Sequence, residues 1–399
     1  MNDEGWLRRG AEHVFLCGPG DVAEQLCAAN MTYGIAKIQY AEHKLGLEPR
    51  AMFIGAPDAT VTRNIYRWRA GFGYGGAVRW DPDLAVLDSK PNGCGMLVGA
   101  LDRAPDEAET RQAAAATRAA RLTLDGVDVT YDLAESNHFA DALELDQVLH
   151  PLVGGEDLPR HMFVVHSSGH EHRPSSPYGP GLYVDESDDL RRAATRVETP
   201  WGAVSILRGD DAARFHSFCE TVQDFNQRRR ELIAERLFGP HRVVCNATHQ
   251  GLRAPGCFHL GAYWFDPGST ALFPLTLGPD QPVYLVRPTP NFSEQAIEGL
   301  GWGERAGRLE VTASLRAANL LPHGGGYRFP DLARLLRIER HGARRVFWVE
   351  PRRGELPFSF EDVRDLEFGY RDLAVLHRMM ELGLATPVAR YRIRFVIKE

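Results

Sequence analysis

Residues 161–168 read HMFVVHSS and residues 241–249 read HRVVCNATH, and these two stretches decide the fold class. Each is a short run rich in β-branched residues beside a histidine and small polar residues, which is typical of a strand. Similar runs occur at residues 281–288 (QPVYLVRP), 308–314 (RLEVTAS), 344–351 (RRVFWVEP) and 391–398 (YRIRFVIK). Helical patterns occur at residues 106–124, 210–237 and 360–382. Because strands and helices are interspersed, the sequence predicts a mixed α/β (α+β) fold.

Composition limits the class of protein. The chain has 399 residues, of which 44% are hydrophobic and 25% charged, so it is neither collagen-like nor wholly disordered. The length allows two or three domains, but we find no repeat, linker or charge block, which favours one body over residues 1–399. The 46 Lys and Arg residues against 53 Asp and Glu residues give a net charge of −7. This charge argues against a surface that grips nucleic acid throughout, while still permitting a local basic groove.

The cysteines and the N-terminus indicate a compartment. The six cysteines are scattered and form no CxxC pair, so we expect reduced thiols rather than a disulfide framework. The polar start, MNDEGWLRRG, has no apolar segment of the kind found in secretory signals, and no run is long enough to span a membrane. We therefore expect a cytoplasmic protein with no membrane partner.

Four places combine a metal-binding side chain with small neighbours. They are Cys94 in PNGCGM, His138 after Asn137 in ESNHF, His166 in VVHSSGHEHR, and His249 in CNATHQG. A thiolate and imidazoles at the ends of separate strands are the ligands that Zn²⁺, Mn²⁺ or Fe²⁺ sites use. Taken singly, a lone His or Cys is more often structural, so each motif alone is a weak indication.

A fifth place is LLPHGGGYRF, which contains His323. Three consecutive glycines are unfavourable inside a helix and allow backbone N–H groups to approach an anion. Arg328 follows and has the geometry to hold a phosphate with two hydrogen bonds. A histidine at the head of such a loop suggests a phosphoryl or nucleotidyl carrier, because neutral imidazole is a nucleophile near neutral pH. The alternative is an ordinary turn.

In their order along the chain, these five places resemble the RtcB-type RNA ligases. The resemblance implies that Cys94, His138, His166 and His249 bind manganese, and that His323 accepts GMP from GTP. It spans about residue 57 to the C-terminus, so residues 1–50 are a divergent part of one RtcB-like body. The implied metal site lies at strand ends in a central cleft, with two Mn²⁺ ions, although Zn²⁺ or Fe²⁺ also fits the ligands.

The resemblance also implies the substrates. Members of this family join an RNA 3′-phosphate or 2′,3′-cyclic phosphate to a 5′-hydroxyl, as in tRNA splicing and RNA repair, so the expected partners are GTP and RNA ends, tRNA halves among them. The nucleotide-binding residues it implies are Asn137, Asn226, Arg228, Thr276, Gly278, Gly324, Gly325, Gly326 and Arg328.

Several positions depart from the family pattern. Pro91 stands where the family has an Asp ligand, and Asn92 or Asp88 is a candidate substitute. Asp58 is kept, but the His that follows it in the family is Thr60. Leu260, beside His259, replaces a Lys, and the segment 166–171 (HSSGHE) lacks the family's Arg. Metal ligands and nucleophile are retained while phosphate-binding cations are lost.

These departures keep two alternatives open. One is a diverged metalloenzyme of the same fold that acts on a small molecule or a modified nucleotide. The other is a non-catalytic scaffold that a metal stabilises, in which Cys94→Ala would lower thermal stability without loss of any activity.

Overall fold

The computed structural model describes residues 1–135, 137–152, 157–354 and 356–398. Helices make up 31% and strands 34% of the structure, which confirms the mixed α/β prediction. The helices are α1 (Asp3–Glu12), α2 (Val22–Lys44), α3 (Ile65–Ala70), α4 (Glu107–Ala119), α5 (Asp188–Ala193), α6 (Gly209–Phe238), α7 (Glu294–Gly299), α8 (Gly303–Arg308), α9 (Thr312–Arg316) and α10 (Leu373–Glu381).

The strands, in chain order, are β1 (Val14–Phe15), β2 (Met52–Val61), β3 (Gly73–Arg79), β4 (Leu84–Val86), β5 (Cys94–Leu101), β6 (Leu122–Leu124), β7 (Val127–Val129), β8 (Phe139–Val148), β9 (His161–Ser167), β10 (Thr195–Val197), β11 (Val204–Arg208), β12 (Arg242–Ala254), β13 (Cys257–Leu260), β14 (Ala262–Trp264), β15 (Phe273–Thr276), β16 (Val283–Pro288), β17 (Leu320–Pro322), β18 (Tyr327–Arg328), β19 (Leu332–His341), β20 (Arg344–Pro351), β21 (Phe358–Phe360), β22 (Gly369–Tyr370) and β23 (Ala385–Ile397). Short 3-10 helices occupy Leu87–Ser89 and Val363–Asp365.

An eleven-stranded sheet forms the centre of the molecule. Its strand order is β1-β2-β3-β13-β12-β5-β9-β8-β23-β16-β15, so it draws on both ends of the chain. The β1–β2 pair is parallel, and the other pairs of this sheet are antiparallel. Consecutive residues of β9 face opposite sides: Met162 and Val164 pack in one cluster, Phe163 and Val165 in another. Both faces of the sheet are therefore buried.

The predicted strands are largely confirmed, but three predicted elements are wrong in part. The helix predicted at 106–124 ends at Ala119, because Ala120 is extended and the next residues form β6, which pairs with β7 across the Asp125–Gly126 turn. No strand forms at 308–314: α8 ends and α9 begins within this segment, and these helices bury Ala306 and Leu315. Within the helix predicted at 360–382, a 3-10 helix and β22 precede α10, which is its one α-helical part.

The N-terminal part carries a helix that the sequence interpretation did not predict. Helix α2 has 23 residues, begins where the Asp21 side chain accepts from the Glu24 N–H at 3.0 Å, and contributes buried residues such as Ile35 and Ile38 to the core. Its polar residues are also buried, so it lacks a clear amphipathic pattern. Residues 1–50 are therefore part of the main core.

Candidate metal centre and adjoining cavity

Four neighbouring strands at the middle of the sheet bring the four predicted metal ligands together. His249 lies on β12, Cys94 begins β5, His166 lies near the end of β9, and His138 immediately precedes β8. Cross-strand pairing places Met96 opposite His166 and Phe139 on the other side of His166. His249 is the extra residue of a β-bulge on β12, which turns its side chain out of the regular alternation.

Cys94, His166 and His249 form a buried trio whose ligand atoms converge. The Cys94 Sγ lies 3.3 Å from the His166 Nε2, and the Nε2 atoms of His166 and His249 are 3.4 Å apart. A tetrahedral ion with bonds of about 2.3 Å to sulfur and about 2.0 Å to nitrogen separates S from N by about 3.5 Å and N from N by about 3.3 Å. The trio therefore fits one ion with a fourth position left for another ligand.

The surroundings of the trio favour the protonation states in which a thiol and an imidazole bind a metal. Burial alone would raise the pKa of the Cys94 thiol, but His166, His249 and His138 lower it well below its usual value. Burial, reinforced by His323, lowers the pKa of His249 to about 3, and burial also lowers the pKa of His166. A thiolate beside neutral imidazoles is the protonation state that a metal requires.

His138 extends the site on the far side of Cys94. Its Nε2 lies 3.5 Å from the Cys94 Sγ and its Nδ1 lies 2.7 Å from Asp132 Oδ2. Burial alone would lower the pKa of His138, but Cys94 and Asp132 raise it to about 10. An imidazole oriented by a carboxylate is a common arrangement for a metal ligand. His138 can thus serve a second ion that shares the thiolate only by releasing this proton, because a metal requires a neutral imidazole.

Asp132 also belongs to a second group of residues with metal-binding side chains, together with His138 and His170. However, the fully buried Arg229 lies 3.1 Å from Asp132, and burial opposed by Arg229 and His138 leaves the pKa of Asp132 at about 2. Since this carboxylate is already neutralised by a guanidinium, we assign it to the orientation of His138 and not to metal binding.

The orientation of His166 is also fixed. Its Nδ1 lies 3.0 Å from the Asn137 carbonyl, so Nδ1 carries the proton and Nε2 keeps its lone pair toward Cys94. The His249 Nδ1 is buried and has no hydrogen-bond partner among the described residues. The side chains present therefore fit a divalent cation that accepts sulfur and nitrogen ligands.

His323 lies directly beside the trio. Its ring centroid is 4.3 Å from that of His249. Its Nδ1 lies 2.9 Å from Asp58 Oδ2, which also accepts from the backbone N–H of His323 at 3.1 Å and of Gly324 at 3.3 Å. A carboxylate that holds Nδ1–H leaves the other ring nitrogen, Nε2, as the nucleophilic atom.

A cavity of about 170 Å³ opens over His323 and His166. Of the nucleotide-binding residues predicted from the sequence, six line it: Asn137, Thr276, Gly278, Gly324, Gly325 and Gly326. The glycine loop is tightly packed, since a Cβ on Gly325 would lie 2.3 Å from the carbonyl oxygens of Arg371 and Leu277. Thr60 also lines the cavity. The position at which the resemblance implies a His is therefore part of the site, although the residue there is Thr.

Three other predicted nucleotide residues do not line this cavity. Arg328 is half exposed and lies 4.0 Å from Asp372, and Arg228 pairs with Asp125 on the surface. Asn226 is buried and donates to the Asn92 carbonyl at 3.1 Å, which holds the loop before Cys94. These positions are determined by partners that are distant in the sequence.

The other candidate residues from the sequence lie in different parts of the structure. The Asn92 side chain accepts from the Cys94 N–H at 3.0 Å, so it shapes the loop beside Pro91. Asp88 accepts from the Ser205 N–H at 2.7 Å and lines a different cavity. His259 is fully buried on β13, where burial lowers its pKa to about 3, and Leu260 is buried beside it. Neither Asp88 nor His259 belongs to the trio.

Several site residues were missed from the sequence. Asp132 and Arg229 hold His138, while Phe139, Asp141, Tyr370 and Lys398 line the cavity. For Asp141, the sequence signal that could have indicated a role at the site is its position three residues after His138. Of the other histidines and arginines near these motifs, His172, Arg229 and Arg230 are buried.

Across the described residues, no helix combines the length and apolar character needed to cross a membrane. All six cysteines are buried and free. No protein-family model matches the chain, and no curated protein matches it at a significant level.

Proposed function

We propose that the chain is an RtcB-type, metal- and GTP-dependent RNA ligase in which His323 becomes guanylylated. The observation that carries the proposal is the position of His323, which is locked to Asp58 and lies against His249 of the trio. A nucleophile next to a cluster that fits a divalent cation is the arrangement required for transfer of a phosphoryl group.

In the proposed first step, the His323 Nε2 attacks the α-phosphorus of GTP. An N–P bond forms, the bond from the α-phosphorus to the bridging oxygen breaks, and pyrophosphate leaves. The Nδ1 proton stays on the imidazole, where Asp58 stabilises the positive charge that develops on the ring. A bound cation supplies charge neutralisation for the phosphates. The guanylyl group then passes to an RNA 3′-phosphate, and a 5′-hydroxyl displaces GMP.

The side chains of the cavity support guanine as the base. Phe139 and Tyr370 provide aromatic walls. Asp141 is 4% exposed, and its Oδ1 has no hydrogen-bond partner among the described residues. Guanine presents two adjacent donors, N1–H and the N2 amino group, which a carboxylate accepts, whereas adenine presents no such pair. Lys398 supplies a cation at the same wall.

The ligand set bears on the identity of the metal. One thiolate and imidazoles suit Zn²⁺ or Fe²⁺ as well as the Mn²⁺ that the resemblance implies, and Pro91 removes a carboxylate oxygen that Mn²⁺ favours. We propose Mn²⁺ as the activating ion, with the thiolate shared between two positions. The six free thiols favour a reducing compartment, and we propose the cytoplasm.

Labelling with GTP tests this proposal. The protein is incubated with Mn²⁺ and α-labelled GTP, denatured and separated. We expect a label that is released by acid and stable in base, as a phosphoramidate is, and that is absent from His323→Ala. The matched control is His259→Ala, which removes another buried histidine outside the trio. Absence of label on the wild-type protein, or equal labelling of His323→Ala, would refute the proposal.

A second candidate is a diverged metalloenzyme that acts on a small molecule. The observation that favours it is the scarcity of positive charge: Lys398 is the only Lys or Arg among the described residues that line the cavity. The two candidates differ in substrate. Tight metal binding without GTP labelling or RNA joining would favour the small-molecule enzyme, and RNA joining would eliminate it.

A further inference from the structure

A second, larger cavity lies away from the trio. It has a volume of about 600 Å³ and shares no lining residue with the cavity at His323. Its walls come from α2, the segment 66–70, the loop after β4, the segment 196–203 and the start of β20. Cavities of this size are typical of small-molecule sites.

Two buried cations line this cavity without an acidic partner. Lys37 on α2 is 4% exposed, and Arg345 on β20 is 7% exposed. Neither forms an ion pair with a carboxylate of the described residues. Lys37 donates to the Ala70 carbonyl at 3.2 Å, and the Arg345 Nη2 donates to the carbonyls of Trp68 and Arg69 at 3.0 and 2.9 Å. The Tyr33 ring lies 5.1 Å from the Arg345 guanidinium, but no carboxylate of the described residues forms an ion pair with either cation.

The same wall has unused hydrogen-bond donors. The Nε and Nη1 of Arg345 and the Nε1 of Trp201 are buried and have no partner among the described residues. The Lys37 ammonium has three N–H donors, and among the described residues it donates to one acceptor, the Ala70 carbonyl. Because an unpaired buried donor is destabilising, the walls favour a ligand rich in acceptors.

The acidic residues of the cavity are occupied by other groups. Asp185 pairs with Lys90 at 2.7 Å, and Glu361 pairs with Arg344. Asp88 accepts from Ser205, and burial raises its pKa. Burial lowers the pKa of Lys37 to about 8, with Asp88 opposing this effect and Arg345 adding to it. Lys37 therefore lies close enough to interact with both Arg345 and Asp88, and Asp88 offsets its charge in part without forming an ion pair with it.

We propose that this cavity binds a small phosphate-bearing molecule whose phosphate is held by Lys37 and Arg345. A phosphate offers several acceptor oxygens and a negative charge for the two cations that no carboxylate of the described residues pairs with. Because the unused donor atoms of Arg345 and Trp201 are themselves covered, we expect an anion to draw them forward by side-chain rotation. The cavity is larger than a phosphate alone, and Tyr66 and Phe347 provide aromatic surface for an organic part. The proposal is independent of the function proposed above.

Titration calorimetry on the metal-free, full-length protein with inorganic phosphate, pyrophosphate and AMP tests this inference. We expect saturable binding, and at least tenfold weaker binding to Lys37→Met and to Arg345→Met. Lys44→Met, at the exposed end of the same helix, is the matched control and should bind as the wild-type protein does. Cys94→Ser should also bind normally, because it changes only the metal centre.

Stability measurements keep the test decisive if a variant folds poorly. Phosphate should raise the unfolding temperature of the wild-type protein and of Lys44→Met, and should raise that of Lys37→Met much less. Trp201→Phe, which removes a single donor and keeps an aromatic ring, should show a smaller effect in the same direction. Absence of saturable binding by the wild-type protein, or equal binding by Lys37→Met and Arg345→Met, would overturn the inference. Loss of binding in Cys94→Ser would instead place the phosphate at the metal centre and overturn it as well.

Discussion

At the scale of single residues, the candidate metal centre depends on groups that contact its metal-binding side chains, such as Asp132. Asp132 contacts His138 Nδ1 at 2.7 Å and directs Nε2 toward Cys94. Substitution of such a carboxylate typically weakens metal binding by about 10- to 100-fold. We expect Asp132→Asn to lower metal affinity within that range, measured by competition with a chromophoric chelator. Exposed Asp128, changed to Asn, is the control, and equal affinities in both variants would contradict the assignment.

Asp141 predicts a dependence of stability on pH. Burial raises its pKa from 3.8 to about 7, so between these values the folded protein holds a proton that the unfolded chain has released. Stability therefore falls as pH rises from about 4 to about 7, by up to about 4 kcal/mol. Asp141→Asn should remove this loss.

Urea unfolding at about pH 5 and about pH 8 measures the effect. We expect the free energy of unfolding of Asp141→Asn minus that of the wild-type protein to be larger, meaning a relatively more stable variant, at the higher pH. The exposed Asp102, changed to Asn, should show no such dependence. A difference between the wild-type protein and Asp141→Asn that is constant across this range would show that Asp141 does not titrate as described.

The sequence predicts which thiol and imidazole side chains come together better than it predicts the residues around them. Cys94, His138, His166 and His249 each belong to a short motif, and pairing of adjacent strands brings them together. Arg229 and Lys398 acquire their roles from contacts across long sequence separations, and no local pattern distinguishes them from solvated cations. The same reason explains why the prediction of Arg328 as a phosphate ligand did not place it on the cavity wall.

At the scale of elements, helix α6 offers an internal comparison between two adjacent arginines. Arg229 is fully buried and contacts Asp132, Glu171 and the Ser167 hydroxyl, whereas Arg228 is half exposed. Removal of one member of a buried network leaves the other charges unpaired and costs about 3–5 kcal/mol. Arg229→Met should therefore destabilise the protein by that amount in urea unfolding. Arg228→Met should change stability little, and similar losses in the two variants would contradict this account.

The glycine loop after β17 predicts a steric effect. A Cβ at Gly325 would lie 2.3 Å from two backbone carbonyl oxygens, so Gly325→Ala must displace the loop that carries His323. Because small displacements of reacting groups lower rates strongly, we expect at least about a tenfold slower guanylylation. Gly307→Ala, at a helical position with open space, is the control and should label normally. Normal labelling of Gly325→Ala would show that the loop tolerates displacement.

Sequence patterns predict elements unevenly, for physical reasons. Strand β20 matches its prediction at both ends, because its β-branched and aromatic run is bounded by clear breaks. Helix α2 was missed because it is buried on most sides and so lacks an apolar stripe. The predicted end of helix α4 is five residues too late, because Leu122–Leu124, which forms β6 before the Asp125–Gly126 turn, is included in the helical pattern.

At the scale of the whole molecule, the metal centre joins strands that are far apart in the sequence. Cys94 and His249 are separated by much of the chain, and both lie in the central sheet. A bound ion should therefore stabilise the whole fold by about 2.7 kcal/mol when its concentration is 100 times its dissociation constant. Chelation should lower the unfolding temperature of the wild-type protein and leave that of Cys94→Ser unchanged. An unchanged wild-type value would mean that the ion does not bind the native state preferentially.

The net charge of −7 also acts at this scale. Because a net negative charge does not attract RNA, the proposed binding of RNA must depend on local cations such as Lys398, which lines the cavity. Binding of RNA ends should then depend on the terminal phosphate more than on the length of the strand.

Both proposals for the function of this site require Cys94, His166 and His249 to bind a divalent cation. X-ray absorption at the metal edge of the purified protein measures the ligands of that cation. We expect one sulfur at about 2.3–2.4 Å together with nitrogen ligands at about 2.0–2.2 Å, and loss of the sulfur signal in Cys94→Ser. A protein without metal, or a metal surrounded by oxygen and nitrogen alone, would contradict it.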